Sequence, residues 1–575
     1  MHNQWIDNPA YQPQNHDEAC KNLGISNPEQ PRIDGLFQTL KFDMHQPTAI
    51  NALVEFEDSC VGAGLNAEEV GLGKTVETIG LLLFRSNQRK AAIDRGEAVS
   101  KALPTLIVVP QNLIHQWRDE IFQFTDRFTI VVYYGPPRKS VDPKVVYIPK
   151  SQTQGKLTRS HALFDGNEQN SDTIVLTSYA TYTTRHGPKV QWDWLVEQRR
   201  NQPWEGHSTK PTKREAEKLL INEGVKYQSI HQSYPHQLHG LFERVILDEG
   251  HTIRHQSDDI GWAISNIGSK YRHILSGTPT FDSIEEFSGI MRFLQDPKLS
   301  QKEHLLAMGF TEKQLLEGTH ERHGQITFLE SALYWQDPYT LPDDDPKAPL
   351  KYCGEAMDKY LFCKTTNEGR QFGVAEQGNR LKQVLQKVMI RRTQTSLLNG
   401  VPIGESLPSV QRMVFVCDFT ENERAHYDYM MQDEATTLFR KSKDDKSVEW
   451  STTAYRKWCL LASWLGFGYL FDYKASTLSS KRKTMTAMSI LRDIEAGQRR
   501  LKVPEDKRIP LPKKPKTIDV QSIIKHHCTG SPKLRQLLSI YAEVVVLREE
   551  KSLLWINNPA QGQWLEEVSD HTPCL

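Results

Sequence analysis

The chain has 575 residues, of which 38% are hydrophobic and 25% charged, a composition typical of soluble globular domains. The sequence contains no apolar run of membrane-spanning length and its start lacks a secretory pattern, so neither a spanning helix nor a signal peptide is expected. Lys plus Arg equals Asp plus Glu, at 71 each, which excludes a global electrostatic attraction to nucleic acid and leaves only a local basic groove. The eight cysteines form no Cys-x-x-Cys pair, so we expect no structural zinc and no disulfides, and a reducing compartment fits.

The predicted elements follow a polar segment, residues 1–40, that is rich in Asn, Gln and Pro and is expected to be a loose tail. Short apolar, β-branched runs then predict strands at Thr105–Val109, Thr129–Tyr134, Thr173–Leu176, Arg244–Leu247 and Arg272–Leu275. Helical patterns such as Thr75–Phe84 and Asn112–Phe122 lie between many of them. This alternation predicts an α/β fold whose parallel sheet is covered on both faces. Two polar stretches, 136–170 and 183–240, are predicted to be surface insertions.

Residues 41–295 therefore form the main predicted domain. Helical patterns with polar breaks predict a helical insertion and link over 296–400, and a strand, a helical protrusion and a basic linker over 401–530. A further, incomplete domain is expected over 531–575. Seven aromatic residues cluster in the predicted protrusion: Trp450, Tyr455, Trp458, Trp464, Phe467, Tyr469 and Tyr473. We favour a helical core for them over a base-stacking platform, and both interpretations stay open.

The sharpest local pattern is Ala67–Thr75, a glycine-rich turn that runs into an apolar helix. Such a turn lets backbone N–H groups face a phosphate, and the helix adds its positive amino end. Lys74 is placed to reach the β- and γ-phosphates of a nucleotide, and the Thr75 hydroxyl to hold Mg²⁺. Only the compact Gly-x-Gly-Lys-Thr core is present, because Glu68 stands where the full pattern has glycine. The alternative is an ordinary glycine-rich turn before a helix.

Two further patterns follow predicted strands. Asp248 and Glu249 end an apolar strand, at the edge of the sheet where α/β proteins bind their ligands. Asp248 is predicted to bind Mg²⁺ and Glu249 to orient or activate the attacking water, although an ordinary acidic turn is the alternative. The turn Leu275–Thr280 is rich in Ser and Thr, and it is predicted to sense the γ-phosphate. A plain turn is its alternative.

In this order the motifs resemble those of the Snf-type DNA translocases, the chromatin-remodelling and repair branch of the superfamily-two helicases. The resemblance is densest over residues 40–300. Met44-His45-Gln46 is similar to the adenine-contacting segment, and Ala67–Thr75 to motif I, with Glu68 and Val70 where the family usually has Asp and Met. Leu106–Pro110 with Gln116-Trp117 is similar to motif Ia, a distinctive mark of this branch.

The later motifs continue the resemblance. Leu176–Tyr179 is similar to motif Ib, Asp248–His251 to motif II and Ser276–Pro279 to motif III, with Asp282 in place of the usual Asn. Arg391-Arg392-Thr393 and Leu407-Pro408 are similar to the link into a second lobe, with Gln394 in place of the usual Lys. The resemblance implies a RecA-like parallel-sheet lobe with helical insertions, followed by the start of a second RecA-like lobe.

Motifs and resemblance together assign the candidate site residues. They assign ATP binding to Gln46, Gly71, Leu72, Gly73, Lys74 and Thr75, catalysis to Lys74, Asp248 and Glu249, coupling to His251, Ser276, Gly277 and Thr278, DNA contact to Pro110, Gln116, Thr177 and Ser178, and Mg²⁺ to Thr75 and Asp248. The implied cofactors are ATP and Mg²⁺. The implied partner is double-stranded DNA, with nucleosomes or chromatin proteins as further candidates, and the implied activity is DNA-dependent ATP hydrolysis.

The end of the chain resembles only the opening of lobe two. Ser531–Leu534 is similar to its first residues, and Glu550–Asn558 with Gln563–Leu565 to its first strand and helix, motif IV. Motifs V and VI are not found, so the arginines that reach the γ-phosphate in this family are missing and the isolated chain is expected to be poorly active. One alternative is a non-catalytic ATP- and DNA-binding module. A phosphate-loop enzyme acting on a small molecule is a second.

Residues 498–516 predict the location of the protein. Eight basic side chains lie there: Arg499, Arg500, Lys502, Lys507, Arg508, Lys513, Lys514 and Lys516. Four prolines favour an extended backbone, and Lys513-Lys514-Pro515-Lys516 has the pattern of a nuclear import signal. We therefore expect a nuclear protein. A solvated linker, or one that lies on DNA phosphates, is the alternative.

Overall fold

A computed structural model describes the fold in two compact units, Met1–Pro408 and Ser409–Leu575. The described residues are 15–59, 61–135, 142–148, 157–202, 210–229, 231, 233–255, 258–279, 286–294, 320–322, 325–327, 374–406, 413–431, 439–441, 448–450, 452–467, 525, 527–556, 561 and 565. Several predictions fall outside them, namely those for Asp282, Leu407-Pro408, the basic run 498–516 and Gln563-Trp564. Within the described residues no helix is long and apolar enough to cross a bilayer.

The first unit is built on a parallel sheet of eight strands. They are β1 (Ala63–Asn66), β2 (Thr105–Val109), β3 (Thr129–Val132), β4 (Val145–Tyr147), β5 (Thr173–Ser178), β6 (Arg244–Asp248), β7 (Tyr271–Leu275) and β8 (Met389–Ile390). Their spatial order is β8-β1-β7-β6-β2-β5-β3-β4, and every neighbouring pair is parallel. A parallel sheet needs crossover connections, which explains why helices cover both of its faces. The predicted α/β fold with a parallel sheet is confirmed.

Ten helices of this unit lie within the described residues. They are α1 (His16–Asn22), α2 (Gln46–Asp58), α3 (Lys74–Asp94), α4 (Ile114–Phe124), α5 (Tyr179–His186), α6 (Pro188–Arg200), α7 (Lys213–Asn222), α8 (Asp259–Ser265), α9 (Phe287–Leu294) and α10 (Val374–Val388). Two apolar clusters fill the space between helices and sheet, one on each face. Strand residues alternate between them: Leu106 and Val108 of β2 belong to one cluster and Ile107 and Val109 to the other. The near-continuous apolar runs in the sequence reflect this burial on both faces.

The expectation of a loose amino-terminal tail is wrong for the described residues from 15 onward. Helix α1 packs on α2, and Cys20, Ile33 and Phe42 are buried in the cluster that includes α2 and α3. His16 is also buried, and its ring nitrogens bond to the carbonyls of Met44 and Pro28. The polar composition concealed these contacts, because a few apolar residues anchor the whole segment.

The two predicted insertions also carry more structure than their composition indicated. Within 136–170, β4 pairs with β3 and forms the edge of the main sheet. Within 183–240, α6 and α7 pack together around Val196, Ala216 and Leu220. Helix α7 begins with a capping box between Thr212 and Glu215. Both segments therefore belong to the folded unit rather than to irregular surface loops.

A buried charge cluster ties the amino ends of β6 and β7 to α2. The Glu57 carboxylate accepts hydrogen bonds from Arg244 (2.9 Å), His273 (2.8 Å) and Arg85 (2.8 Å). Burial opposes ionisation of Glu57, but the two partners Arg244 and His273 hold its pKa well below the ordinary value. The Glu57 carboxylate therefore stays charged and balances the buried guanidinium of Arg244.

Replacing Glu57 with Gln should destabilise the first unit by about 3–5 kcal/mol, because it leaves a buried arginine without its counter-charge. Chemical denaturation followed by tryptophan fluorescence measures the effect. The matched control is Asp193→Asn, which removes an exposed carboxylate paired with Lys189 and Lys213 and should cost less than about 1 kcal/mol. Equal effects of the two substitutions would contradict this account of the cluster.

The second unit contains three described helices, α11 (Glu421–Met431), α12 (Thr452–Leu461) and α13 (Pro532–Tyr541). Trp464 and Phe467 are fully buried in its small core, which confirms a core role for these two aromatic residues. Tyr455 is exposed, whereas Tyr469 and Tyr473 lie outside the described residues. Arg535 joins α13 to α11 through two bonds to the Glu423 carboxylate, of 2.7 and 2.9 Å.

The predicted motif IV strand is not found among the described residues. Residues 551–556 have no regular structure, and Leu553 and Trp555 are 90% and 83% exposed. The helical region instead continues from α13 through a π-helical turn at Ala542–Leu547. A strand forms only when a neighbour pairs with it, so an apolar run without a paired neighbour keeps an extended, exposed backbone.

Candidate active site

The turn between β1 and α3 has the backbone geometry of a phosphate-binding loop. Gly71 and Gly73 have φ values of 97° and 91°, a left-handed conformation that strains any other residue. A Cβ at Gly73 would also collide with the amide of Gln46. Helix α3 begins directly after Gly73 without a side-chain cap, which leaves its first N–H groups available to an anion.

The Lys74 side chain lies over this loop. Its ammonium donates to the carbonyls of Glu68 (2.9 Å) and Glu69 (3.2 Å). Burial lowers the pKa of Lys74, whereas nearby carboxylates, including Asp248 and Glu249, raise it. Lys74 is therefore within electrostatic range of the acidic pair at the end of β6, and the catalytic roles of these three residues stay predictions.

Asp248 is held by hydrogen bonds to both carboxylate oxygens. Trp117 Nε1 donates to Oδ2 at 2.7 Å, and the Glu249 N–H donates to Oδ1 at 3.0 Å. Burial raises the pKa of Asp248, and the Trp117 bond opposes that shift. A fixed carboxylate at the carboxyl end of a central strand suits a hard cation such as Mg²⁺.

Glu249 follows in a strained backbone conformation. Its φ is 49°, one of three positive values among the described non-glycine residues. Its carboxylate lies 3.2 Å from His251 Nδ1, and this contact lowers the pKa of Glu249 although burial opposes the shift. Glu249 therefore stays a carboxylate at neutral pH and can accept a proton.

The predicted coupling residues meet at the ends of β6 and β7. His251 Nδ1 lies 3.1 Å from the Ser276 hydroxyl and 3.2 Å from the Glu249 carboxylate, so the three side chains meet at one ring nitrogen. Gly277 packs against the phosphate loop, where an added Cβ would lie 3.0 Å from a methyl group of Val70. Thr278 is exposed beside them.

The predicted DNA contacts divide into two groups. Gln116 is exposed on α4, where it donates to Glu120 at 2.8 Å, and Pro110 is half-buried. Thr177 and Ser178 are buried, and their hydroxyls are used inside the protein. Thr177 donates to the Tyr133 carbonyl, while Ser178 caps α5. A direct contact of these two side chains with DNA is therefore wrong for this structure, because the motif occupies the buried end of a central strand.

Gln46 lies against the phosphate loop and is almost fully buried. Its carbonyl oxygen accepts from the Asp43 N–H at 2.9 Å, and its amide nitrogen lies 3.5 Å from the Leu72 carbonyl. His45 bonds the same carbonyl at 2.8 Å. The adenine contact of Gln46 stays a prediction.

Two arginines that the sequence analysis did not assign to the site, Arg391 and Arg392, lie next to the phosphate loop. Arg391 donates to the carbonyl of Gly277 at 2.9 Å, while Arg392 donates to Thr48 at 2.7 Å and pairs with the buried Glu68. Each joins elements more than a hundred residues apart, and the motif pattern indicated only a link between lobes. Burial, followed by the neighbouring Glu68, raises the pKa of Glu77 well above its ordinary value. The neighbouring guanidinium of Arg392 opposes that shift.

The residues present fit a magnesium–nucleotide group. The left-handed glycines and the uncapped start of α3 provide the phosphate cradle. Thr75 at the first turn of α3 and Asp248 at the end of β6 would hold the metal. Among the described residues, one further buried cluster could in principle bind an ion, namely His45, Glu68 and Glu77. The guanidinium of Arg392 lies against the carboxylates of Glu68 and Glu77, so its positive charge already stands where a cation would bind.

The parallel sheet, the glycine-rich loop and the acidic strand end together have the arrangement of a nucleotide-binding α/β lobe. The SNF2-related domain profile matches residues 45–460, and the chain belongs to this family.

Curated relatives include DNA repair and helicase proteins of yeasts. The chain is 26% identical over 323 residues to the DNA repair protein RAD5 of Candida glabrata, a match that covers 52% of this chain and 22% of the relative. It is 26% identical to the ATP-dependent helicase ULS1 of Saccharomyces cerevisiae, over 45% of this chain and 14% of the relative. The matches thus span about a fifth of these relatives or less.

Comparison with solved structures also matches the chain to the Sulfolobus solfataricus SWI2/SNF2 ATPase core in complex with dsDNA. It aligns with a TM-score of 0.32 and 14% identity, over 81% of this chain and 64% of the other.

Proposed function

We propose that this chain is the ATP-binding part of a DNA-translocating ATPase of the chromatin-remodelling and repair type. The observation that carries the proposal is the left-handed, uncapped glycine loop with Lys74 over it, together with the carboxylate of Asp248 fixed at the carboxyl end of a central parallel strand. The positive φ of Glu249 is the kind of backbone strain that clusters at functional sites.

Each residue has a distinct part in this proposal. The loop amides and Lys74 bind the β- and γ-phosphates, which places the reacting phosphorus near Glu249. Bound Mg²⁺ supplies neutralisation of the phosphate charge. Glu249 holds a carboxylate because His251 lowers its pKa, so it orients the attacking water and accepts its proton.

The path from Glu249 through His251 to Ser276 supports coupling of this chemistry to the rest of the lobe. Ser276 precedes Gly277, whose carbonyl accepts a hydrogen bond from Arg391 at 2.9 Å. Arg391 directly follows β8, the last strand of the sheet. A change at Glu249 therefore reaches the segment that leads out of the first unit.

Duplex DNA is the proposed partner, bound through its phosphates rather than by its sequence. We propose that the exposed side of α4, which includes Gln116, makes the DNA contact. Thr177 and Ser178 are not included because both are buried. Nucleosomes or chromatin proteins are proposed as larger substrates.

A nuclear location is proposed from the basic run 498–516. Imaging of a tagged chain tests this location, and exclusion of the chain from the nucleus would contradict it.

The ATP hydrolysis of the isolated chain, which we expect to be low, should still rise when duplex DNA is added. DNA contacts on α4 lie next to Trp117, which bonds directly to Asp248. Steady-state phosphate release, measured with and without two unrelated duplexes, checks the expectation, and both should stimulate equally. The stimulation should weaken as salt is raised, because phosphate contacts release counterions. ATP hydrolysis that ignores DNA, or that responds to one sequence alone, would contradict the proposal.

A further inference from the structure

Two helices, α4 of the proposed DNA contact and α5, each send one partly buried hydrogen bond to the same residue. The indole of Trp117 on α4 donates to the Asp248 carboxylate at 2.7 Å, and the hydroxyl of Tyr179 on α5 donates to the Asp248 carbonyl at 2.7 Å. We propose that Trp117 and Tyr179 are positioning residues that transmit duplex binding to the metal-binding carboxylate of Asp248. This inference rests on the proposed function.

Trp117 fixes the orientation of the carboxylate. One oxygen of Asp248 accepts the indole N–H, and the other accepts the Glu249 N–H at 3.0 Å, so both rotation and tilt of the group are defined. Each carboxylate oxygen can accept further contacts, which leaves lone pairs for a cation. Groups that orient a metal ligand in this way typically change metal affinity or activity by about 10–100-fold when they are removed.

Tyr179 fixes the backbone instead. Its hydroxyl holds the carbonyl of Asp248, the peptide group that leads into Glu249. Glu249 has a φ of 49°, and a residue in that conformation persists only where its surroundings determine it. Tyr179 therefore supports both the metal ligand and the catalytic carboxylate that follows it.

Both positioning residues are adjacent to surface positions. Gln116, the residue before Trp117, is exposed on α4, and Ala180, the residue after Tyr179, is exposed on α5. A shift of either helix on DNA binding would move a hydrogen bond to Asp248 without any intervening residue. Trp117 and Tyr179 are themselves 3% and 5% exposed, so they cannot bind DNA directly.

The test uses Trp117→Phe and Tyr179→Phe in the full chain, which keep an aromatic ring and remove the donor. Matched controls are Trp262→Phe on α8 and Tyr182→Phe on α5, both buried aromatic residues of the apolar cluster that contains Tyr179, whereas Trp117 lies in the cluster on the other face. The first readout is the affinity for Mn²⁺ in the presence of ATP, measured by electron paramagnetic resonance. The second is the ratio of ATP hydrolysis rates with and without duplex DNA.

We expect both test variants to bind Mn²⁺ about 10–100-fold more weakly and to lose most of the DNA stimulation. Their affinity for duplex DNA and for metal-free ATP should equal that of the controls, which excludes general unfolding. Unchanged Mn²⁺ affinity in both variants, or retained DNA stimulation, would overturn the proposal.

If one variant does not fold, the other still decides. If duplex DNA does not stimulate ATP hydrolysis by the unmodified chain, the proposed function is contradicted. The proposal that Trp117 and Tyr179 transmit DNA binding to Asp248 is then contradicted too. The Mn²⁺ affinities then report separately whether Trp117 and Tyr179 position Asp248.

Discussion

Replacing Glu249 with Gln is expected to leave ATP bound but to reduce its hydrolysis by about 100-fold or more. The amide cannot accept a proton from the attacking water, and general-base catalysis contributes on the order of 10²–10⁴ in rate. The substitution also removes the negative charge that lies 3.2 Å from His251 Nδ1, so the contact of Glu249 with His251 is weakened as well. The loop residues that bind phosphate are untouched.

Single-turnover hydrolysis of labelled ATP measures this effect even if the intrinsic rate is low. A matched control is Glu197→Gln, which removes an exposed carboxylate on α6 that is paired with Arg200 and should leave the rate unchanged. If Glu249→Gln hydrolyses ATP as fast as the unmodified chain, Glu249 is not the catalytic base.

Replacing Lys74 with Ala is expected to weaken ATP binding about 10- to 100-fold. Charge-assisted hydrogen bonds contribute about 1.5–3 kcal/mol, and the phosphates would lose the cationic group nearest the loop. The substitution also removes the bonds from Lys74 to the carbonyls of Glu68 and Glu69, which brace the loop. Both losses act in the same direction.

Isothermal titration calorimetry with Mg-ATP measures the change. Lys213→Ala is the control, because Lys213 is exposed on α7 and pairs only with Asp193 among the described ion pairs. A thermal midpoint equal to that of the unmodified chain would show that the loop variant is folded. ATP affinity unaffected by Lys74→Ala would rule out this turn as the phosphate site.

The sequence predicted strands β2, β3, β5, β6 and β7 but not β1, β4 or β8, which lie at or next to the edges of the sheet. Strands β2, β5 and β6 are continuous runs of apolar, largely β-branched residues, a pattern that follows from burial on both faces. Strand β1 is Ala-Gly-Leu-Asn, which has little intrinsic preference for a strand and is held by pairing with β7 and β8. Strand β8 has two residues, and its pairing with β1 joins segments more than 300 residues apart.

In the candidate site, too, the sequence identified residues that are contiguous in the chain but not contacts between distant segments. The loop from Gly71 to Thr75 and the pair Asp248-Glu249 are contiguous motifs, so the sequence alone was enough to identify them. The bond between Trp117 and Asp248 joins residues 131 positions apart, and nothing in either motif indicates it. Thr177 and Ser178 were predicted as surface contacts because a motif records residue types and not burial.

A crystal structure of the chain with Mg²⁺ and a non-hydrolysable ATP analogue would test the central claim most directly, that Lys74, Asp248 and Glu249 form one ATP-hydrolysing centre. We predict that the phosphates lie on the amides of Gly71–Thr75 beside Lys74, with the metal between Thr75 and Asp248. A nucleotide bound elsewhere, such as in the cavity of about 250 Å³ bordered by Arg85, Arg89 and Tyr271, would contradict the account.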